Sequence, residues 1–418
     1  MPAEREAGTL SAVDASSPAK VPGVSTPSIA SVEPDERGVT IVWSDGTCGR
    51  YLHFWLRENC PADGSSLSGQ RLLALADIPV DIRPKSVAAR GDTVTLVWPD
   101  DHRSTFHGAW LRERSHSSGA QPPPLDIATW DASLDPEDLV VGFASAMEDD
   151  DALFDLIGLI VKHGVARVMD TPEEALTRLA RRMGYLHDTN YGLVLDVKSE
   201  FKPWFRVLSG DAIPPHTDNA YRYTPTGISL FHCVRQLDGP GGESFYVDGL
   251  RLAERLRDVD AEAHAFLCGE PLTFHRAIPE NAAMHIDAAR FRVEAPVFST
   301  NARGQVTGIR YHPRTVAPVV ADEAGIERMY RARRALEALS MDPSMRIEFQ
   351  ALEGECTVYD NHRVMHARRG FEQRGTSGVR HFRQCHVDRE ELHSRWRLLG
   401  ARLGRRVHEE WITPGVSV

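Results

Sequence analysis

His216 and Asp218 stand two residues apart in Pro214-Pro-His-Thr-Asp-Asn219, and His366 closes the segment Asn361-His-Arg-Val-Met-His366, 150 residues further on. Residues two apart on a strand project to the same face, so a His-x-Asp triplet presents an imidazole and a carboxylate together. The triplet alone is cheap, since His285-Ile-Asp287 and His386-Val-Asp388 have the same form. The first copy differs in its context: the second histidine, and then Arg380 fourteen residues after it. Two histidines and one carboxylate make the facial set that suits Fe(II) and leaves three positions open, two for the chelating atoms of 2-oxoglutarate and one for O2. The far carboxylate of that cosubstrate needs a partner. A guanidinium meets it with two parallel charge-assisted hydrogen bonds and stays protonated when desolvated. His216, Asp218 and His366 are therefore the expected metal ligands and catalytic centre, and Arg380 the expected cosubstrate anchor; the bland alternative for Arg380 is a surface ion pair. Asp218 also limits the reaction, because an iron halogenase of this kind carries Gly or Ala there to admit a halide. Hydroxylation, or another oxidation begun by hydrogen abstraction such as desaturation or C–N cleavage, is what the set permits.

These residues must be held by a scaffold, and the chain of 418 residues is long enough for a large domain and a smaller one. Residues 1–31 are rich in Ala, Ser, Pro and Gly and read as a disordered tail. Residues 32–117 carry short alternating runs such as Gly38–Trp43 and Thr93–Trp98, which predict a small β-rich domain. Trp-Leu-Arg-Glu occurs there twice, at Trp55–Glu58 and Trp110–Glu113, a weak repeat of about 55 residues. Three prolines in Ser117-Ser-Gly-Ala-Gln-Pro-Pro-Pro-Leu125 suggest a linker over 118–134. From 135 to 405 the spacing predicts helices over 136–163 and 171–183, then strands near 228–234, 244–247, 291–298, 356–359 and 381–386, with helices near 250–267 and 322–339. That is an α+β fold in which a β core is flanked by helices; residues 406–418 read as a C-terminal tail.

The net charge of −11 and the lack of a dense Lys/Arg run argue against a nucleic-acid partner and for a small-molecule one. No apolar run reaches the roughly 20 residues of a membrane helix. Residues 1–9 lack the n- and h-regions of a secretory signal, so no membrane partner and a cytoplasmic location are expected. The six scattered cysteines read as reduced thiols.

Taken together, these segments resemble the γ-butyrobetaine and trimethyllysine hydroxylases of the wider taurine-dioxygenase-like superfamily. The likeness runs from Val32 to about Leu403. It rests on Trp55-Leu-Arg-Glu-Asn-Cys60, Asn190-Tyr-Gly192, His216-Thr-Asp218, Leu230-Phe-His-Cys233, Gly241–Gly249, Asp360-Asn361, His366–Glu372 and Arg380-His381. The resemblance implies a double-stranded β-helix (jelly-roll) core, an N-terminal β domain, a homodimer, and the cofactors Fe(II), 2-oxoglutarate and O2. It also implies a structural zinc held by three close cysteines and a histidine. Only Cys60 and His107 match that set, so the zinc cage is degenerate. Betaine-binding members surround a trimethylammonium group with aromatic faces. Tyr191 matches one wall, Leu195 stands where a Trp is expected, and the next wall falls at Val207 or Leu208. The family's carboxylate-binding Asn pair is replaced within Arg310-Tyr-His312-Pro-Arg314, so the substrate contacts expected here are Tyr191, Leu195, Asn219 and His312. Trp204, Phe205, Arg206 and Arg222 flank the same region.

The leading expectation is an Fe(II)/2-oxoglutarate-dependent dioxygenase that oxidises a small polar or charged metabolite. Betaine hydroxylation is the family default. A β-helix-fold metal- or ligand-binding protein without turnover would have lost a triad member, and all three are present. A nickel, zinc or manganese enzyme could use the same donors but would not require Arg380.

Overall fold

The computed structural model describes residues 27–60, 63, 73–115, 127–198, 209–236, 240–281, 286–371, 380–405 and 407. The chain folds as two units, Met1–Pro124 and Leu125–Val418.

In the first unit the alternation of Gly38–Trp43 is realised as a strand with Val39, Ile41 and Trp43 buried on one face. It pairs antiparallel with Ile29–Pro34 and Cys48–Leu52. Thr93–Val97 lies in the same way between Ser86–Arg90 and Arg103–His107. Each three-stranded sheet runs into a six-residue helix, His53–Glu58 or Gly108–Glu113, so the Trp-Leu-Arg-Glu repeat is one β-β-β-α unit used twice. The two copies share a core: Leu56 and Leu111 are buried, and the Trp55 and Trp110 rings meet at 5.4 Å. Because the first strand starts at Ile29, residues 29–31 are not part of a tail; residues 1–26 lie outside the described ones.

The second unit contains two larger sheets. One is six-stranded, in the order Val140–Gly142, Val165–Met169, Cys356–Asp360, Ile228–Arg235, His381–Val387, Leu195–Lys198, antiparallel except for its first pair. The other is four-stranded and antiparallel, in the order Ile213–His216, Val364–Arg368, Ser244–Asp248, Arg346–Phe349. Helices Asp150–His163, Leu176–Met183 and Arg389–Leu403 lie against the six-stranded sheet, where Leu153, Ile157, Leu179 and Leu399 meet Val168, Leu230, Val358 and Val387. Burial of each such side chain stabilises the unit by about 1.5–3 kcal/mol. A second core joins helices Gly249–Val259, Ala261–Gly269 and Glu323–Met341 around Phe274 and Tyr311.

Three expectations are corrected. The helix expected over 136–163 is a 3-10 turn Pro136–Leu139, a short strand Val140–Gly142, and helices Phe143–Glu148 and Asp150–His163. The β-branched pair Val140-Val141 joins the sheet edge, and Asp149 restarts the helix by capping Asp151 N. The helix near 250–267 breaks at Asp260, whose carboxylate caps Ala263 N. Residues 127–134 are not a linker: Trp130 is buried, its indole N–H donates to His163 O at 2.6 Å, and its backbone N–H donates to Asp248. Residues 116–126, and all of the expected C-terminal tail except residue 407, lie outside the described residues. Among the described residues no helix is long and apolar enough to cross a membrane. All six cysteines are free thiols.

Candidate active site

The edge strand Ile213–His216 pairs with Val364–Arg368 so that His216 lies opposite His366, which is how residues 150 apart in sequence become neighbours. Their rings are 4.2 Å apart. His216 Nε2 is 3.7 Å and His366 Nε2 3.8 Å from the same oxygen, Asp218 Oδ1. These separations exceed a hydrogen bond. The three donor atoms lie within 4.8 Å of one another, a set that could hold a metal ion.

The surroundings prepare them for that. His216 Nδ1 faces Pro214 O at 2.9 Å, which puts the ring proton there and leaves the Nε2 lone pair for the site. Burial depresses the pKa of His216, and burial with the neighbouring His216 takes His366 down to about 3. Burial would raise Asp218, but the charges of His366 and His216 outweigh it and hold the carboxyl at about 2. Neutral imidazoles beside an ionised carboxylate are the protonation states a divalent cation requires. Gln384 Nε2 donates to Asp218 Oδ2 at 2.7 Å and so leaves Oδ1 facing the histidines.

Asn361 shapes the turn that carries Asp218. Its Oδ1 accepts from Asp218 N at 2.6 Å, and its Nδ2 donates to Asp218 O and Thr226 O at 3.0 and 2.8 Å. The turn then passes through Asn219 at φ +56°, a left-handed conformation that asparagine tolerates better than most residues. Asn219 Oδ1 accepts from Tyr221 OH at 2.8 Å.

The three donors open into a cavity of about 500 Å³. Arg380 lines it too, only 2% exposed, with its guanidinium carbon 3.8 Å from the centroid of Phe382. Burial lowers its pKa to about 10, so it remains a cation. Arg368 is also buried. Its pKa falls to about 9, through burial and then the repulsion of Arg380. Two buried guanidiniums lining one cavity suit an anionic ligand. These residues fit the keto-acid cosubstrate, with Arg380 as the group that would hold its far carboxylate.

The expected substrate contacts Tyr191, Leu195, Asn219 and His312 all line this cavity, and the His312 ring lies 4.6 Å from that of His216. Arg222 instead reaches Asn190 Oδ1 at 2.6 Å and stacks on Phe291. Trp204, Phe205, Arg206, Val207, Leu208 and His285 lie outside the described residues. In the triplet His386-Val-Asp388, His386 Nδ1 meets Ser229 Oγ and Asp388 meets His187, so those two side chains go to different partners. Sequence reasoning missed Gln384, Arg368, Arg276 and Arg314 as cavity residues. Gln384 carried a signal, since it lies two residues from His386 and two from Phe382 on one inward face of a strand.

In the first unit the zinc-like residues are not those expected. Cys60 Sγ lies 3.1 Å from His102 Nε2, with Asp63 completing the cluster. His107 is turned toward Asp92, 3.9 Å away. The buried Arg57 guanidinium binds the Asp63 carboxylate directly. One thiolate, one imidazole and a carboxylate already taken by a cation do not make the four-donor cage of a structural zinc.

Comparison with known proteins agrees with this geometry. The fold and the site define an Fe(II)- and 2-oxoglutarate-dependent dioxygenase. The chain belongs to the taurine catabolism dioxygenase TauD, TfdA family, whose model matches residues 126–386. Residues 30–112 match the gamma-butyrobetaine hydroxylase-like N-terminal family. Similar relatives include a gamma-butyrobetaine dioxygenase of Pseudomonas sp. (strain AK-1), 31% identical over 88% of this chain and 95% of the relative. A trimethyllysine dioxygenase of Meyerozyma guilliermondii is 25% identical over 87% of this chain and 94% of its own length. The gamma-butyrobetaine dioxygenase of Homo sapiens is 26% identical over 87% and 94%.

Proposed function

We propose that His216, Asp218 and His366 hold the iron, that Arg380 anchors 2-oxoglutarate, and that the product is a hydroxylated small polar or charged metabolite. The observation that carries this is the opening of both the three-donor set and the buried Arg380 guanidinium into one cavity. Iron with 2-oxoglutarate and O2 supplies the oxidation, coupled to decarboxylation of the keto acid to succinate. The protein's part is positional. Gln384 fixes the Asp218 carboxylate and Asn361 the Asp218 backbone, Arg380 and Arg368 supply positive charge for the keto acid, and Tyr191, Leu195, Asn219 and His312 shape the space for the substrate.

The two sheets of the second unit support the reading of its core as a double-stranded β-helix, with the metal donors on strands and turns at one end of the four-stranded sheet. The resemblance supports a homodimer and the reading of the first unit as the family's N-terminal β domain. Betaine hydroxylation, the activity in the relatives' names, is the second reading. It is favoured by the identity to the Pseudomonas enzyme and by Tyr191 at its expected cage position, and opposed by Leu195 where an aromatic wall is expected.

Succinate formed from 2-oxoglutarate under air, with Fe(II) as the only added metal, tests the assignment. Wild type is expected to make it, slowly without substrate, and Asp218→Ala to make none while folding normally by circular dichroism. Equal succinate from both proteins would refute the assignment of Asp218 as a ligand.

A further inference from the structure

The two repeats of the first unit are tied together by a contact that occurs twice. Arg112 stands 55 residues after Arg57 in the second Trp-Leu-Arg-Glu, and Asp100 stands 55 after Asp45, each aspartate two residues past the tryptophan of its repeat. Both aspartates lie in the turn between the second and third strands of their own sheet. Each spends Oδ1 on that turn: Asp45 accepts from Thr47 N and Asp100 from His102 N, both at 3.1 Å. Each turns Oδ2 to the arginine of the other repeat, Asp45 to Arg112 at 2.7 Å and Asp100 to Arg57 at 3.5 Å. The arginines thus cross over reciprocally, joining the helix of one repeat to the turn of the other.

The Arg57 clamp carries an addition. Arg57 is buried, and its guanidinium also binds Asp63, whose other oxygen lies 3.4 Å from His102 Nε2. Cys60 Sγ stands 3.1 Å from the same nitrogen. A zinc is implied here by the resemblance, and these residues do not suit one. Tetrahedral zinc takes four donors, and residues 61–72 contain no Cys, His, Asp or Glu besides Asp63. A divalent ion on Asp63 would also share that carboxylate with the guanidinium, setting two cations side by side where water cannot screen them. Without the ion, Arg57 and Asp63 balance each other.

The second clamp shows what the first one needs. At the positions 55 residues from Cys60 and His102 the chain has Ser115 and Thr47. The Thr47 hydroxyl donates to Asp45 at 2.7 Å, and Arg112 reaches Asp45 without a thiolate or an imidazole in its set. The cross-link between repeats is therefore complete in a copy that has neither of these soft donors.

We propose that the first unit is held without a metal ion, with the Arg57 guanidinium as the cation that joins Asp63 to the turn of the second repeat, and with Cys60 and His102 as a thiol–imidazole hydrogen bond rather than a ligand set. The inference concerns the first unit alone and does not rest on the dioxygenase reading.

The test uses the full chain carrying Asp218→Ala, which breaks the donor set of the second unit, stripped of metal with a chelator. Unfolding is followed by the far-ultraviolet exciton signal of the Trp55–Trp110 pair, which reports on the first unit. Stripping the metal and then adding Zn(II) are each expected to leave Tm within about 1 °C. In the same background Arg57→Gln is expected to lower Tm by on the order of 5 °C with or without Zn(II), and Arg112→Gln, whose pair is half-exposed, by less. Cys60→Ser is expected to lower it by less than Arg57→Gln does. Titration with Co(II) adds a probe of the thiolate itself: no thiolate-to-cobalt charge-transfer band that depends on Cys60 is expected. The proposal is overturned by such a band saturating at one Co(II) per chain and lost in Cys60→Ser, or by a Tm that falls on stripping and is restored by Zn(II) only when Cys60 is present. It is also overturned if neither arginine variant lowers Tm. Should Arg57→Gln fail to fold, Arg112→Gln carries that arm, and the cobalt and zinc results stand without it.

Discussion

At the scale of single residues the site depends on side chains that hold its three donor groups in place. Gln384 donates to Asp218 Oδ2 and leaves Oδ1 aimed at His216 and His366. Replacing it by Leu keeps the bulk and removes the donor, so the carboxylate is freed to rotate. Iron affinity is expected to fall roughly ten- to hundredfold, as for other partners of metal ligands. Competition with a coloured Fe(II) chelator measures it, and an unchanged affinity would show that Asp218 is held by other means. The clustering of His216, Asp218 and His366 was legible in sequence because a His-x-Asp, a distant His and an Arg have a recognisable spacing. Arg276 was not, because it reaches the cavity only through pairing between segments far apart in the chain, and Gln384 was marked only by the alternation of its strand. Cys60 showed the same limit: its neighbour is His102, not His107, because the alternation of Arg103–His107 points those residues elsewhere.

Among the elements, one buried ion pair ties the scaffold together. Arg363 grips Asp248 through Nε and Nη2 at 3.0 and 2.8 Å, with both side chains almost wholly inaccessible. Asp248 also caps helix Gly249–Val259 through Leu250 N and accepts from Trp130 N, while Arg363 donates to Lys162 O and Ala128 O. Both charged groups therefore have hydrogen-bond partners beyond each other, so the pair is satisfied rather than merely buried. Asp248→Ala leaves the guanidinium without its counter-charge and is expected to cost about 3–5 kcal/mol, read as a lower urea midpoint at unchanged slope. A loss under about 1 kcal/mol would mean that water replaces the carboxylate. Strands buried on both faces or rich in proline were the elements hardest to see. Ile213-Pro-Pro-His216 argues against a strand, yet it lies at a sheet edge where missing N–H donors are tolerated. Val165–Met169 shows no polar alternation because both of its faces are covered.

For the whole molecule the buried histidines set a direction of pH dependence. Burial, then the charge of Arg389, depresses His362 to about 4, and the same two causes depress His393 to about 4. Asp360, ion-paired to Arg389 at 2.8 Å, opposes this without overcoming it. The unfolded chain takes up these protons near pH 6.5, and the folded chain only near 4. Between those values the unfolded state binds more protons, so stability falls as pH falls, by an amount on the order of a few kcal/mol. His362 Nε2 faces Pro225 O at 3.1 Å, so His362→Gln keeps a donor but does not titrate. Its Tm should decline less steeply than that of wild type from about pH 6.5 to about 4.5, and parallel declines would contradict the account. The two-unit organisation was legible from composition and repeat, though its borders were not. The first strand begins at Ile29, before the apolar pattern becomes clear, and Trp130 packs within a stretch whose prolines suggested a linker. The central claim is that one metal and one keto acid are bound together by His216, Asp218, His366 and Arg380. Anaerobic titration of the protein with Fe(II) and 2-oxoglutarate tests it most directly. The account predicts a weak visible charge-transfer band in wild type and a band that needs at least roughly tenfold more 2-oxoglutarate in Arg380→Ala. No band with iron demonstrably bound, or a band indifferent to Arg380, would contradict it.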